Sequence, residues 1–205
     1  MSEYDATSRT IGILALQGDY EAHRKVLEER LHVNTAQVRT PAELCNVDAL
    51  VLPGGESTTI AKLLSRIDLE APIRARAAAG MPIYGTCAGM ILLAADIEGR
   101  PDQPTLDLMD VTVARNAFGR QVDSFEADVD IDADGESRGV RGVFIRAPYV
   151  TRAGSDVEVL AQYEGKTVAV RQGNLLATAF HPELTDDSGM HEMFVRIVAG
   201  SREAR

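Results

Sequence analysis

Long apolar runs are missing from this chain of 205 residues. A membrane-spanning helix needs roughly 20 consecutive apolar residues, so no contact with a membrane is expected. Cysteine is scarce. Cys45 and Cys87 are the only two, and they stand too far apart in the chain to suggest a disulfide framework. Neither a Cys-x-x-Cys nor a His-x-x-x-His cluster occurs, which argues against a zinc site, so no metal is expected. Positive charge is also short. Lys and Arg together number 21 against 31 Asp and Glu, a formal charge of −10. A phosphate-binding face needs the opposite balance, so nucleic-acid binding is not expected. The 18 arginines still leave enough local charge to hold a small anion. Residues 1–10 are polar and carry acids, unlike a secretory leader. The expected location is the cytoplasm.

What is present is ordinary globular composition, 45% apolar and 25% charged, at a length that suits one domain. Residues 1–10 read as an extension ahead of a single domain over 11–200. Short apolar runs bounded by Gly, Pro or polar residues mark strands covered on both faces. They occupy 11–16, 49–52, 81–84, 142–145, 167–171 and 175–180, with 110–114 a further candidate. Helical spacing is expected over 19–30, 58–65, 71–79, 88–97 and 190–199. The first half alternates strand and helix. That order implies an α/β fold, a mostly parallel sheet with helices on both faces. Residues 111–170 read as strand-rich, adding strands to the main sheet or beside it. The acidic stretch 128–141 reads as a solvated hairpin turn and not as a calcium loop, because no second set of ligands follows.

The sharpest local signal is Tyr84-Gly85-Thr86-Cys87-Ala88-Gly89. An apolar strand runs in and an apolar helix runs out, the thiol counterpart of the nucleophile elbow. Gly85 and Gly89 let strand and helix pass closely. The helix N-terminus favours a thiolate at Cys87, and the Ala88 N–H is a natural oxyanion donor. A lone cysteine is usually a small buried apolar residue. A second motif reverses that reading. Phe180-His181-Pro182-Glu183 follows a strand, so His181 should also stand at the carboxyl edge of the sheet, where open α/β sheets bind ligands. A cysteine nucleophile needs a base, and the base needs an orienting acceptor. His181 and Glu183 suit those two roles. A third element, Pro53-Gly54-Gly55-Glu56-Ser57-Thr58-Thr59, also follows a strand. Its Gly55 N–H is a candidate second oxyanion donor, and Ser57 or Thr58 a candidate helix cap. His23, His32 and His191 read as surface or packing residues, and Cys45 as structural.

With these motifs in place the chain resembles the class I, or triad, glutamine amidotransferases. One branch of that class fits best. Leu16-Gln17-Gly18, the Pro53–Thr59 segment, Arg115-Asn116-Ala117-Phe118-Gly119-Arg120-Gln121, Ser124-Phe125-Glu126 and Phe144-Ile145-Arg146-Ala147-Pro148 resemble the glutaminase subunits of pyridoxal 5'-phosphate synthases. The resemblance covers residues 10–198, nearly the whole chain. It implies a flavodoxin-like fold, L-glutamine as substrate and no cofactor. It also implies a separate synthase subunit as partner, receiving the ammonia and completing the oxyanion hole on docking. Carried over by position, Cys87, His181 and Glu183 form the triad. Gly55, Glu56, Ser57, Arg115, Ile145 and Arg146 match the glutamine-binding positions. A zwitterionic substrate suits them, since its carboxylate seeks an arginine or backbone donors and its ammonium an acceptor. Two other readings stay open: the same fold feeding ammonia to a different synthase or hydrolysing a γ-glutamyl peptide, and a binding domain with a dead site.

Overall fold

The computed structural model describes residues 9–115 and 124–201. Strands β1 (Thr10–Leu14), β2 (Asn34–Val38), β3 (Ala49–Leu52), β4 (Ile83–Thr86) and β12 (Leu175–Thr178) lie side by side in the order β2-β1-β3-β4-β12. All four pairings are parallel, which is the flavodoxin-like order once the late strand β12 is counted fifth. Their residues are apolar nearly throughout because both faces are covered. All four residues of β3, Ala49 to Leu52, are fully buried. Strand β2 is the exception. Its sequence Asn-Thr-Ala-Gln-Val is half exposed at the sheet edge, so no apolar run announces it.

Beyond β12 the sheet continues with β11 (Lys166–Gln172), β9 (Tyr149–Ala153), β6 (Met109–Ala114) and β5 (Ala94–Ile97), while β10 (Glu158–Tyr163) pairs with β11. The pairings around β11 and β9 are antiparallel. Strands β7 (Ser124–Ala133) and β8 (Glu136–Ile145) form a separate two-stranded hairpin. The strand-rich stretch thus both extends the sheet and lies beside it.

The helices are α1 (Tyr20–Lys25), α2 (Pro41–Leu44), α3 (Ser57–Arg66), α4 (Glu70–Ala78), α5 (Ala88–Leu93) and α6 (Gly189–Gly200). Three expectations need correction. The first helix, expected over 19–30, changes at Val26 into a π turn, Val26–Arg30, closed by Leu31 N–H donating to Val26 O. The helix expected over 88–97 stops at Leu93. The carbonyls of Leu92 and Leu93 accept from the N–H groups of Leu106 and Leu108, and Ala94 onward pairs with β6 as a strand. An all-apolar run has no period by which to separate the two. The acidic stretch over 128–141 is mostly strand. Only Asp134 and Gly135 turn, both at positive φ, and Asp128, Asp130 and Asp132 alternate with buried Val129 and Ile131. Among the described residues no helix is long and apolar enough to cross a membrane.

Candidate active site

The three motifs meet at the carboxyl edge of the parallel strands. At the end of β4 the chain turns sharply into α5, and Cys87 is the turn, with φ 49° and ψ −99°. This conformation is costly for a residue with a Cβ, and it is held from both sides. The Cys87 N–H donates to Thr178 O at 2.8 Å. Gly85 packs against Gly89: a Cβ on Gly85 would sit 2.5 Å from the Gly89 carbonyl carbon, and one on Gly89 would sit 2.2 Å from Leu52 O. The two glycines are therefore needed for close approach. Cys87 is 8% exposed, and its Sγ lies 3.9 Å from Ile145 O, at the end of β8.

His181 follows β12 and is bridged to the hairpin, its N–H donating to Val143 O at 2.8 Å. Its Nδ1 is 2.8 Å from Glu183 Oε1, and its ring lines the same cavity as Cys87. A one-turn 3-10 helix, Pro182–Leu184, swings Glu183 back under the ring. Burial alone would lower the pKa of His181. The hydrogen bonds to Cys87 and Glu183, with the carboxylate charge, outweigh it and raise the value to about 10. Burial alone would raise the Glu183 carboxyl. His23 and His181 outweigh that and hold it below the ordinary carboxylate range. Opposed shifts in a buried acid and base mark a pair built to carry an imidazolium.

Cys87 and His181 open onto a cavity of about 360 Å³. Every residue expected at the substrate lines it: Gly55, Glu56, Ser57, Ala88, Arg115, Ile145 and Arg146, joined by Gln17 and Ile91. Glu183 stands behind His181 and away from the cavity. The helix cap is a correction. Neither Ser57 nor Thr58 caps α3; Glu56 does, accepting from the Thr58 and Thr59 N–H groups at 3.1 and 2.7 Å. Its longer side chain reaches back from the position before the helix, and these bonds take its carboxyl down to about 2 despite partial burial. Glu56 is therefore a structural acceptor that also faces the cavity. Arg115 lies 3.6 Å from Glu56 Oε1 and donates to Gln103 Oε1 at 2.8 Å, while Gln103 Nε2 donates to Ser57 Oγ at 2.9 Å. The rest of the arginine motif, residues 116–121, lies outside the described residues, as do residues 1–8.

Sequence reasoning gave no catalytic or binding role to four residues near the site. Gln17 follows β1 at the same sheet edge, a position from which it could have been suspected, and its Oε1 accepts from the Glu56 N–H at 2.8 Å. Gln103 lies in an irregular connection with no motif around it. His23 and His191 are fully buried and linked to Glu183. Burial removes the surface reading for these two and leaves it for exposed His32. Cys45, read as structural, is exposed at the end of α2.

Comparison with known proteins now decides the family. Residues 13–200 match the SNO glutamine amidotransferase family. The chain belongs to that family. It is 58% identical over 196 residues to a Frankia alni protein named pyridoxal 5'-phosphate synthase subunit PdxT, covering 95% of this chain and 98% of that one. A Herpetosiphon aurantiacus protein of the same name is 58% identical over 189 residues, 91% of this chain and 98% of that one. A solved glutamine amidotransferase structure superimposes with a TM-score of 0.86 at 46% identity, over 92% of this chain and 98% of that one. The resemblance read from the motifs and the α/β fold are both borne out, and the enzyme class is glutamine amidotransferase.

Proposed function

We propose that the chain hydrolyses L-glutamine to L-glutamate and ammonia through Cys87, His181 and Glu183, and delivers the ammonia to a pyridoxal 5'-phosphate synthase subunit. The observation that carries this reading is the single constellation at one sheet edge. A strained, cavity-facing thiol shares its cavity with an imidazole whose Nδ1 is 2.8 Å from a buried carboxylate.

The chemistry follows from that order. Cys87 Sγ, its proton already held by His181, attacks the side-chain amide carbon as a thiolate. The imidazolium so formed is stabilised by Glu183, consistent with the raised pKa. The amide oxygen takes the charge and turns toward the N–H groups of Ala88 and Gly55. Collapse breaks the C–N bond, His181 returns its proton to the nitrogen, and ammonia leaves a thioester on Cys87. Water then attacks the thioester while His181 takes its proton. The C–S bond breaks, the sulfur is reprotonated, and glutamate departs. Glu56 and Arg115 offer an acceptor and a cation for the substrate's ammonium and carboxylate, with Ser57, Ile145 and Arg146 completing the walls. The names borne by the relatives support the pathway and the synthase partner, and the reading places the work in the cytoplasm.

The test is glutamate release from glutamine by the chain mixed with a pyridoxal 5'-phosphate synthase subunit. Wild type releases glutamate and Cys87→Ala does not. Equal behaviour of the two ends the proposal.

A further inference from the structure

Behind the triad lies a buried polar chain that the glutaminase chemistry leaves unused. His23 comes from α1 and His191 from α6, and both are fully buried. His23 Nδ1 is 2.9 Å from His191 Nε2. His23 Nε2 is 3.3 Å from Glu183 Oε1 and 3.2 Å from Thr86 Oγ1. Glu183 Oε1 is the same atom that faces His181 Nδ1. One carboxylate oxygen therefore stands between two imidazoles, while among the described residues Oε2 has no hydrogen-bond partner. A carboxylate engaged by a single partner can rotate and exchange its oxygens. A second donor on Oε1 removes that freedom.

The tautomers can be argued from what each nitrogen meets. If His23 carries its proton on Nδ1, its Nε2 lone pair points at a carboxylate oxygen. His191 must then accept at Nε2 and hold a proton on Nδ1, which is buried and has no partner among the described residues. In that arrangement His23 Nε2 accepts from the Thr86 hydroxyl alone, its lone pair still lies 3.3 Å from a carboxylate oxygen, and an orphan N–H is left on His191, costly in a dry interior. With the proton on Nε2, His23 offers an N–H shared between Glu183 Oε1 and Thr86 Oγ1 and accepts at Nδ1 from His191 Nε2–H. Only a lone pair on His191 Nδ1 is left over. Burial lowers the His191 pKa to about 3, so its ring is neutral, as this arrangement requires.

We propose that His23 is a positioning residue for the glutaminase reaction: its Nε2–H, set by His191, holds Glu183 Oε1 in line with His181. This rests on the glutaminase reading above. His23 lies outside the cavity lining, so it acts on turnover through Glu183 and His181 and not on glutamine binding. A buried acceptor that orients a catalytic histidine gains precision when its own second contact is fixed.

The test uses the full chain with the synthase subunit and compares wild type, His23→Leu and His23→Gln. His23→Leu lowers kcat for glutamate release by roughly 10- to 100-fold, the scale of one hydrogen bond to a charged group, and leaves KM for glutamine unchanged. His23→Gln, whose amide nitrogen can occupy the place of Nε2 and donate, recovers most of the loss. An unchanged kcat in His23→Leu, a matching rise in KM, or no recovery with Gln overturns the proposal. A wild type that releases no glutamate overturns the glutaminase reading and this proposal with it. Should His23→Leu fail to fold, nitrogen NMR of the wild-type rings decides. The proton sits on Nε2 of His23 if the inference holds, and a proton on Nδ1 alone overturns it.

Discussion

Gly54 is an exacting position beside the site. It is buried at the end of β3, and an added Cβ would lie 2.1 Å from His181 Cε1, 2.8 Å from Nδ1 and 3.2 Å from Nε2. Carbon atoms rest at about 3.5–4.0 Å, so Gly54→Ala requires the ring or the loop to retreat by roughly 1.5 Å. His181 cannot yield by that much and still meet both Cys87 and Glu183, since the bond to Glu183 is only 2.8 Å long. A displacement of about 1 Å at a reacting group costs on the order of 100-fold. Gly54→Ala is therefore expected to lower kcat/KM for glutamate release by about that factor. The assay is steady-state glutamate release with the synthase subunit present, beside a thermal melt to establish that the variant is folded. Gly139→Ala, where the nearest atom is Asp130 Oδ1 at 3.8 Å, serves as the control. A folded Gly54→Ala variant with wild-type kcat/KM would refute the steric reasoning.

Further outcomes follow from the same geometry. His181→Ala is expected to abolish turnover while Glu183→Gln reduces it less, because removing an orienting acceptor costs less than removing the base; equal losses in kcat would show that Glu183 does more than orient. The raised His181 pKa sets a stability window: its contribution is full below the unfolded value of 6.5 and is lost as pH rises through about 10. Urea midpoints of wild type and His181→Gln should therefore converge between those pH values, and a constant gap would contradict the assignment. Gly89→Ala forces a Cβ to within 2.2 Å of Leu52 O and should destabilise the fold by about 1–3 kcal/mol, measured by chemical denaturation.

Much of the parallel core was legible because buried strands have no polar alternative. The runs at 49–52 and 167–171 fall within or match their strands, while polar β2 escaped because an edge strand need not be apolar. The helix expected over 88–97 failed in its second half, where the partner strand β6, and no local signal, makes residues 94–97 extended. The elbow was legible to the residue. Its strain at Cys87 and the need for Gly85 and Gly89 are local requirements that a sequence must meet by itself. The capping of α3 by Glu56 was misassigned, since the preference for short polar caps outweighed a carboxylate able to reach two N–H groups.

By itself, then, the sequence determined the chemistry on offer: a thiol on an elbow, an imidazole after a strand, and a carboxylate two residues on. Those choices rest on short-range backbone geometry. Only the tertiary structure decided which distant groups share that chemistry. Gln103 reaches Ser57 and Arg115 across an irregular connection, and Gly54 leaves room for the His181 ring. His23 and His191 meet across 168 positions of chain. Such neighbours are set by how strands and helices pack, and a side chain's spacing along the chain says nothing about which buried carboxylate it will face.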